Sequence, residues 1–412
     1  MIDVEWAEEA SSIPIFFPIT TEDPFHISKP CICAPSMEAK TTCRWAALSL
    51  SNIASVFLPD LLGREDAQYE HKLVAVSTTG SNERAQKWFE DNKIPNSQDI
   101  IVYNSWQTML EQGDFDIVYV STPHPLHYEE VMKALECKRN ILVEKPATMN
   151  AAQYRQCTEL ANQQGCVLME AMWTRYLPAT RYLREELLPK IGKVRRVYSD
   201  FSFPIVGPDL QDTSRFLDKA AGGGALLDQG VYALTWADIA LNGVEVGETK
   251  VAHSSSWSVP ERPGDVDDIN TVVLTTKDKG ATAIVTTSMT IPGSSKPPFY
   301  VRLGAQKAAP SVRIEATEAS VAIPFPPIRP EELHVQWYGY AHLNEDGTEK
   351  NEIVKKPVSG WGIWYQADII AAAVFNKQPG VIGAQESLRV LGWMDEARTL
   401  AGITYDEKLE QV

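Results

Sequence analysis

The run Cys43-Arg-Trp-Ala-Ala-Leu-Ser-Leu-Ser-Asn-Ile-Ala54 decides how the chain is to be read. An apolar strand from Arg44 to Leu48 enters a tight turn and a helix opens at Ile53. That order of strand, turn and helix is where a dinucleotide fold carries its glycine fingerprint. Here Ser49 and Ser51 stand where glycines are expected. The first glycine permits the tight turn and the second lets backbone approach a pyrophosphate, so each serine adds a Cβ where space is scarce. The two hydroxyls, with Asn52 and Ile53 at the helix N-terminus, still offer groups that bind phosphate, and the competing reading is a decayed site.

Outward from this turn, apolar runs alternate with helix-like stretches: Ile53 to Leu62, Leu73 to Val76, Glu83 to Asn92, Ile100 to Val102, Ile117 to Ser121, Tyr128 to Lys138 and Ile141 to Val143. The alternation predicts βαβ units and a parallel sheet over residues 43–165. Beyond it, Arg196 to Phe203, Val251 to Ser258, Thr271 to Thr276, Thr282 to Thr290 and Val301 to Leu303 follow one another mostly without helices. Residues 166–412 are therefore expected to form a second domain with an antiparallel sheet, in which one helix follows Gly222-Gly-Gly224. The helical stretch Ala384 to Ala401 is expected to return over the first domain or the interface. Residues 1–42 lack periodicity and read as an extension.

The chain has 412 residues, 44% of them in the apolar class and 22% charged, which fits a globular protein of two or three domains. Its 38 Lys and Arg against 54 Asp and Glu give a net charge of −16, so nucleic acid and anionic membrane are not expected partners. No apolar run reaches the roughly 20 residues that span a bilayer, and the acidic N-terminus is unlike a secretory signal. Six cysteines, none in paired CxxC motifs, point to buried thiols in a reducing cytoplasm and to no metal site.

Four loops carry candidate chemistry. After the second strand comes Val76-Ser-Thr-Thr-Gly-Ser-Asn-Glu-Arg84, with no acid at the strand tip for ribose hydroxyls. Ser77, Thr78, Thr79 and Arg84 suit a 2′-phosphate instead, against the alternative of an ordinary solvated loop. Two further loops, Ser121-Thr-Pro-His-Pro-Leu-His127 and Glu144-Lys-Pro146, follow the carboxyl ends of parallel strands, where ligands of open α/β sheets bind. They bring Thr122, Pro123, His124, His127, Glu144 and Lys145 into consideration, although two histidines without a third ligand make a poor metal site. In Ala221-Gly-Gly-Gly-Ala-Leu-Leu-Asp-Gln-Gly-Val-Tyr232, Asp228 and Tyr232 are four apart on one helical face, where an acid and a phenol can shuttle a proton.

Taken in order, Arg44-Trp45, Thr122-Pro-His-Pro-Leu-His127, Glu144-Lys-Pro146, Met169-Glu-Ala-Met-Trp-Thr-Arg-Tyr176, Gly222-Gly-Gly-Ala-Leu-Leu-Asp228 and Glu386-Ser-Leu-Arg-Val-Leu-Gly-Trp-Met-Asp-Glu-Ala-Arg398 resemble the Gfo/Idh/MocA oxidoreductase family. Within it they look like the subgroup of dimeric trans-dihydrodiol and NADP-dependent D-xylose dehydrogenases. The resemblance implies a Rossmann domain, a C-terminal α+β domain whose open, mainly antiparallel sheet forms a homodimer interface, and NADP(H) with its nicotinamide between the domains. It gives Tyr232 the role of proton donor or acceptor to the carbonyl or alcohol of a sugar, diol or related small molecule. Lys145 would assist it and lower its pKa, Asp228 would hold the polar network, and Trp173, Arg175 and Tyr176 would line the substrate side. Because the turn at Ser49 and Ser51 lacks the family's usual glycine, two other readings stand beside this one. One is a family fold turned to a non-redox cyclisation or elimination, the other a non-catalytic ligand sensor.

Overall fold

The computed structural model describes residues 40–262, 264–295 and 309–412. The expected extension up to residue 39 and the run Val301 to Leu303 fall outside the described residues. Strands β1 (Thr42–Leu48), β2 (Glu70–Ser77), β3 (Ile101–Tyr103), β4 (Ile117–Val120), β5 (Asn140–Val143) and β6 (Val167–Glu170) alternate with five helices. These are α1 (Ala54–Leu61), α2 (Asn82–Asp91), α3 (Trp106–Gln112), α4 (His127–Glu136) and α5 (Ala151–Gln164). The last four residues of β1 and all of β4 are buried, as expected for inner strands of a parallel sheet covered by helices on both faces. The sheet runs past residue 165, because β6 pairs in parallel with β5 and a late strand, β15 (Gly380–Ile382), pairs in parallel with β6. Its order is β15-β6-β5-β4-β1-β2-β3. The direction of strand addition reverses between β1 and β4, so a crevice opens at their carboxyl ends, just where Ser49 and Ser121 stand.

The second domain is built on the sheet order β14-β13-β12-β11-β7-β10-β9-β8. Its strands are β7 (Val194–Ser202), β8 (Thr249–Ser258), β9 (Asp267–Thr276), β10 (Ala281–Ser288), β11 (Val312–Ala316), β12 (Ala319–Ile323), β13 (Glu332–Trp337) and β14 (Asn351–Lys355). Among the described residues of this sheet, β7 and β10 pair in parallel and the other neighbours are antiparallel. The described residues of this part also form the α-helices α6 (Pro178–Tyr182), α7 (Val231–Asn242), α8 (Tyr365–Phe375) and α9 (Ala384–Ala401), with a last turn α10 (Glu407–Glu410). Every residue of α7 is buried, which makes it a core helix lying on β7 and β10. Gly383 and Gly402, both at positive φ, bracket α9, which packs on α5, on α7 and on β8.

Two buried polar links tie later elements to the first sheet. The Trp45 indole N–H donates to Nδ1 of His71 at 3.0 Å, so the proton of that ring is on Nε2, which faces Asp368 of α8 at 3.0 Å. Asp60 near the end of α1 accepts the backbone N–H groups of Trp361 and Ile363. These carboxylates satisfy donors that burial would otherwise leave unpaired. No described helix is long and apolar enough to cross a membrane.

Candidate functional site

Lys145 leaves the end of β5 and crosses to the second domain. Its Nζ lies 2.8 Å from the backbone oxygen and 3.4 Å from Oδ1 of Asp228, and 4.8 Å from the centroid of the Tyr232 ring. Asp228 sits in a π turn, Leu226–Gly230, that runs directly into α7. The same Oδ1 receives an N–H of Arg215 at 3.2 Å, and Nε2 of His124 is 4.0 Å away. Burial alone would raise the Asp228 pKa, but Lys145, Arg215 and His124 outweigh it and hold the carboxyl well below its usual range. The triple glycine allows this approach: a Cβ on Gly223 would lie 2.6–2.8 Å from the carbonyl oxygens of Arg215, Asp218 and Phe216. At Gly224, φ is +124° and a Cβ would strike the Asp267 carboxylate.

The Tyr232 hydroxyl accepts the Trp173 indole N–H at 3.0 Å, and its ring meets Phe201 edge-on. Its pKa is moved opposite to the expected depression. Burial and the nearby Glu144 carboxyl push the phenol well above its ordinary value, and the Trp173 hydrogen bond opposes them only in part. The reason is placement: Lys145 lies over the face of the ring and spends its N–H groups on Asp228, so it does not meet the phenol oxygen.

The remaining expected residues divide into three groups. Ser49, Ser51, Asn52, Ile53, Ser77, Thr78, Thr79, Arg84 and Thr122 gather at the carboxyl ends of β1, β2 and β4. Ser49 has φ +96°, so the turn keeps a glycine-like backbone although the residue carries a side chain. Its N–H donates to the oxygen of Ser77. Ser51 Oγ accepts the N–H of Ala54 at 3.2 Å, capping α1, and meets Ser121 Oγ at 2.9 Å. Among the described residues the N–H groups of Asn52 and Ile53 meet no protein acceptor, which leaves them for an anion. A cavity of about 470 Å³ opens at the carboxyl ends of β2 and β3, lined by Thr78, Thr79, Gly80, Ser81, Asn82, Glu83 and Asn104, and the exposed Arg84 lies across Gly80. The residues present therefore fit the phosphates and one ribose of a dinucleotide.

The second group holds loops together. His127 is wholly buried, with Nδ1 3.0 Å from the oxygen of Pro146 and Nε2 2.8 Å from that of Thr122. It joins the loop after β4, which also carries the exposed Pro123, to the loop of Lys145. Burial lowers the pKa of both His124 and His127. Buried Glu144 accepts the Tyr119 hydroxyl at 2.6 Å. The third group is not brought to Tyr232. Arg175 is buried in an ion pair with Glu170 at 3.1 Å and donates to Ser387, and Tyr176 opens instead on a groove shared with Tyr182 and Lys356. Sequence reading missed Arg215 and Glu170; Ser121, within a quoted loop, was signalled by its place at a strand end.

The turn yields a test. Ser51→Ala removes a cap and should cost about 1 kcal/mol, whereas Ser49→Gly relieves a positive φ and should leave stability equal or higher. Urea midpoints measure both, and a loss in Ser49→Gly as large as that in Ser51→Ala would contradict the assignment of strain to residue 49.

Comparison with known proteins follows from this geometry. The oxidoreductase family GFO/IDH/MocA, NAD-binding Rossmann fold, matches residues 46–172, and its C-terminal domain matches residues 189–321. The chain is 29% identical over 380 residues to D-xylose 1-dehydrogenase (NADP(+)) of Hypocrea jecorina, covering 89% of this chain and 94% of that protein. It is 28% identical over 369 residues to trans-1,2-dihydrobenzene-1,2-diol dehydrogenase of Bos taurus, covering 88% and 98%. Among solved structures, a 3-ketoreductase from Actinomadura kijaniata in complex with NADP and TDP-benzene has the same fold, with TM-score 0.68 and 21% identity over 88% of this chain and 98% of that one. With both the nucleotide-binding and the C-terminal halves matched in order, the chain belongs to the Gfo/Idh/MocA family of oxidoreductases.

Proposed function

We propose that the protein is an NADP(H)-dependent oxidoreductase that interconverts an alcohol and a carbonyl on a sugar, diol or related small molecule. The observation that carries this reading is Lys145, held by Asp228 over the Tyr232 ring, at the junction between a Rossmann crevice and the second domain. The two dehydrogenase relatives support a redox step over a cyclisation or elimination.

NADP(H), when bound, supplies the hydride acceptor or donor. Ser49 to Ile53 and the loop Ser77 to Arg84 would hold its phosphates, with Arg84 and the hydroxyls favouring a 2′-phosphate. In the reducing direction Tyr232 gives its proton to the substrate oxygen while Trp173 keeps the hydroxyl aimed. The Lys145 ammonium offsets the negative charge that develops on Tyr232, and Asp228 keeps that ammonium in place. Because burial raises the Tyr232 pKa, the proton-donating form prevails through neutral pH. Reduction should therefore be favoured near pH 7, while oxidation, which needs the phenol ionised, should quicken steadily into the alkaline range.

The test is an assay of D-xylose oxidation with NADP+ across pH, with coenzyme binding followed by nicotinamide fluorescence. Tyr232→Phe and Lys145→Met should each lower kcat about 10²-fold or more without loss of coenzyme binding. Arg84→Ala should weaken NADPH and leave NADH unchanged. Equal affinities for NADPH and NADH in the unaltered protein, or full turnover in both site variants, would overturn the proposal.

We further propose a homodimer working in the cytoplasm. The second sheet buries one face under α7 and leaves Tyr198, Ile284, Val273, Ile269 and Trp257 on the other, with Trp257 directly opposite Ile269. Cys43, Cys137, Cys157 and Cys166 are free thiols, which suits a reducing compartment. A monomer mass in sedimentation equilibrium, or a tagged protein found outside the cytoplasm, would contradict these assignments.

A further inference from the structure

Lys145 and Asp228 come from different domains, Lys145 from the loop after β5 and Asp228 from the π turn that leads into α7. A third stretch, residues 403–411, touches the supports of both. After Gly402 ends α9 at positive φ, Tyr405 enters the interior and its hydroxyl donates to the oxygen of Gly223 at 2.8 Å. Gly223 lies five residues ahead of Asp228 in the triple-glycine turn. A few residues on, the same segment binds the chain that follows Lys145. The Gln153 amide donates to the oxygens of Leu409 and Gln411, both at 2.9 Å, and the Asn150 amide donates to the oxygen of Glu410 at 2.9 Å.

Arg398 in the last turn of α9 braces the arrangement. One of its N–H groups reaches the carboxylate of Glu410 at 2.6 Å, another the oxygen of Met149 at 3.1 Å, and its guanidinium lies 5.4 Å from the centre of the Tyr405 ring. Within the first domain, Gln153 Oε1 accepts the N–H of Met149 at 3.1 Å, so the side chain that grips residues 409 and 411 also fixes the stretch 145–153. Gly222 packs beside Met149 and His124.

We propose that residues 403–411 form a clasp that sets the distance between the Lys145 loop and the Asp228 turn, with Tyr405 and Gln153 as positioning residues at its two ends. This rests on the proposed oxidoreductase chemistry only for its catalytic consequence. A strap held at both ends no longer fixes their spacing when either end is freed. The geometry needed by a proton donor, a cation and a hydride path tolerates little error, since misplacement by about 1 Å can cost about 10²-fold in rate.

Two variants free one end each. Tyr405→Phe removes one hydroxyl and keeps the ring. Gln153→Glu keeps the acceptor for the Met149 N–H and replaces the donor to residues 409 and 411 with an oxygen. Hydrogen exchange with mass spectrometry on the full chain reads the clasp without any need for turnover. Each single variant should quicken exchange in both 145–153 and 218–228, including the stretch remote from the substitution. Quickening confined to the substituted end would overturn the clasp. In the D-xylose assay kcat should fall about tenfold in either variant, with coenzyme Kd held within twofold, and the double variant should be no slower than the slower single one. Effects that multiply in the double variant would overturn it equally. Were the protein to turn over no sugar, the exchange result would still decide the clasp, so the two proposals fail separately.

Discussion

The contact on which the site depends is the buried pairing of Lys145 with Asp228. It joins the end of a parallel strand in one domain to a π turn in the other, and both side chains are largely withdrawn from water. Charges in such a place are costly unless matched, and removing one partner of a buried pair typically costs about 3–5 kcal/mol. The match here is more than pairwise, because the Arg215 guanidinium also faces the carboxylate. The result is a cation fixed above an aromatic ring whose hydroxyl is already held by Trp173.

The phosphate turn shows what a glycine fingerprint is for. Ser49 occupies the backbone region that a glycine would occupy freely, so the turn retains its shape at an energetic cost while giving up the residue. Ser51 does something a glycine cannot do: its hydroxyl caps α1 and reaches across to Ser121 on the neighbouring strand end. The turn keeps the conformation and the open N–H groups of Asn52 and Ile53 that the proposed phosphate contact needs.

Much of this was legible in the sequence because it depends on local periodicity. The alternation of short apolar runs and helices gave the parallel sheet, and strand ends gave Lys145, Thr122 and Ser77, because residues there must face the crevice. Asp228 and Tyr232 were singled out by helical spacing, and their proposed roles came from the family resemblance. What escaped depends on the path of irregular chain. Arg215 reaches Asp228 from a single 3-10 turn, Arg215–Leu217, too short to leave a periodic signal, and β15, three residues long, joins the first sheet from far along the chain. Arg175, two residues from Trp173 on a tight 3-10 turn, points away from Tyr232 to Glu170. The direction of the Tyr232 shift was unreadable for a related reason. A lysine lowers a phenol's pKa when it meets the oxygen and does far less over the ring, and only the three-dimensional placement separates the two.

The central claim is that Asp228 works by holding the Lys145 cation over Tyr232. Single-turnover hydride transfer, followed by nicotinamide absorbance in Asp228→Asn, tests it most directly, because the substitution removes the charge and keeps the shape. The account predicts a rate lower by about 10²-fold with coenzyme affinity unchanged. A hydride-transfer rate within threefold of the unaltered protein would contradict it.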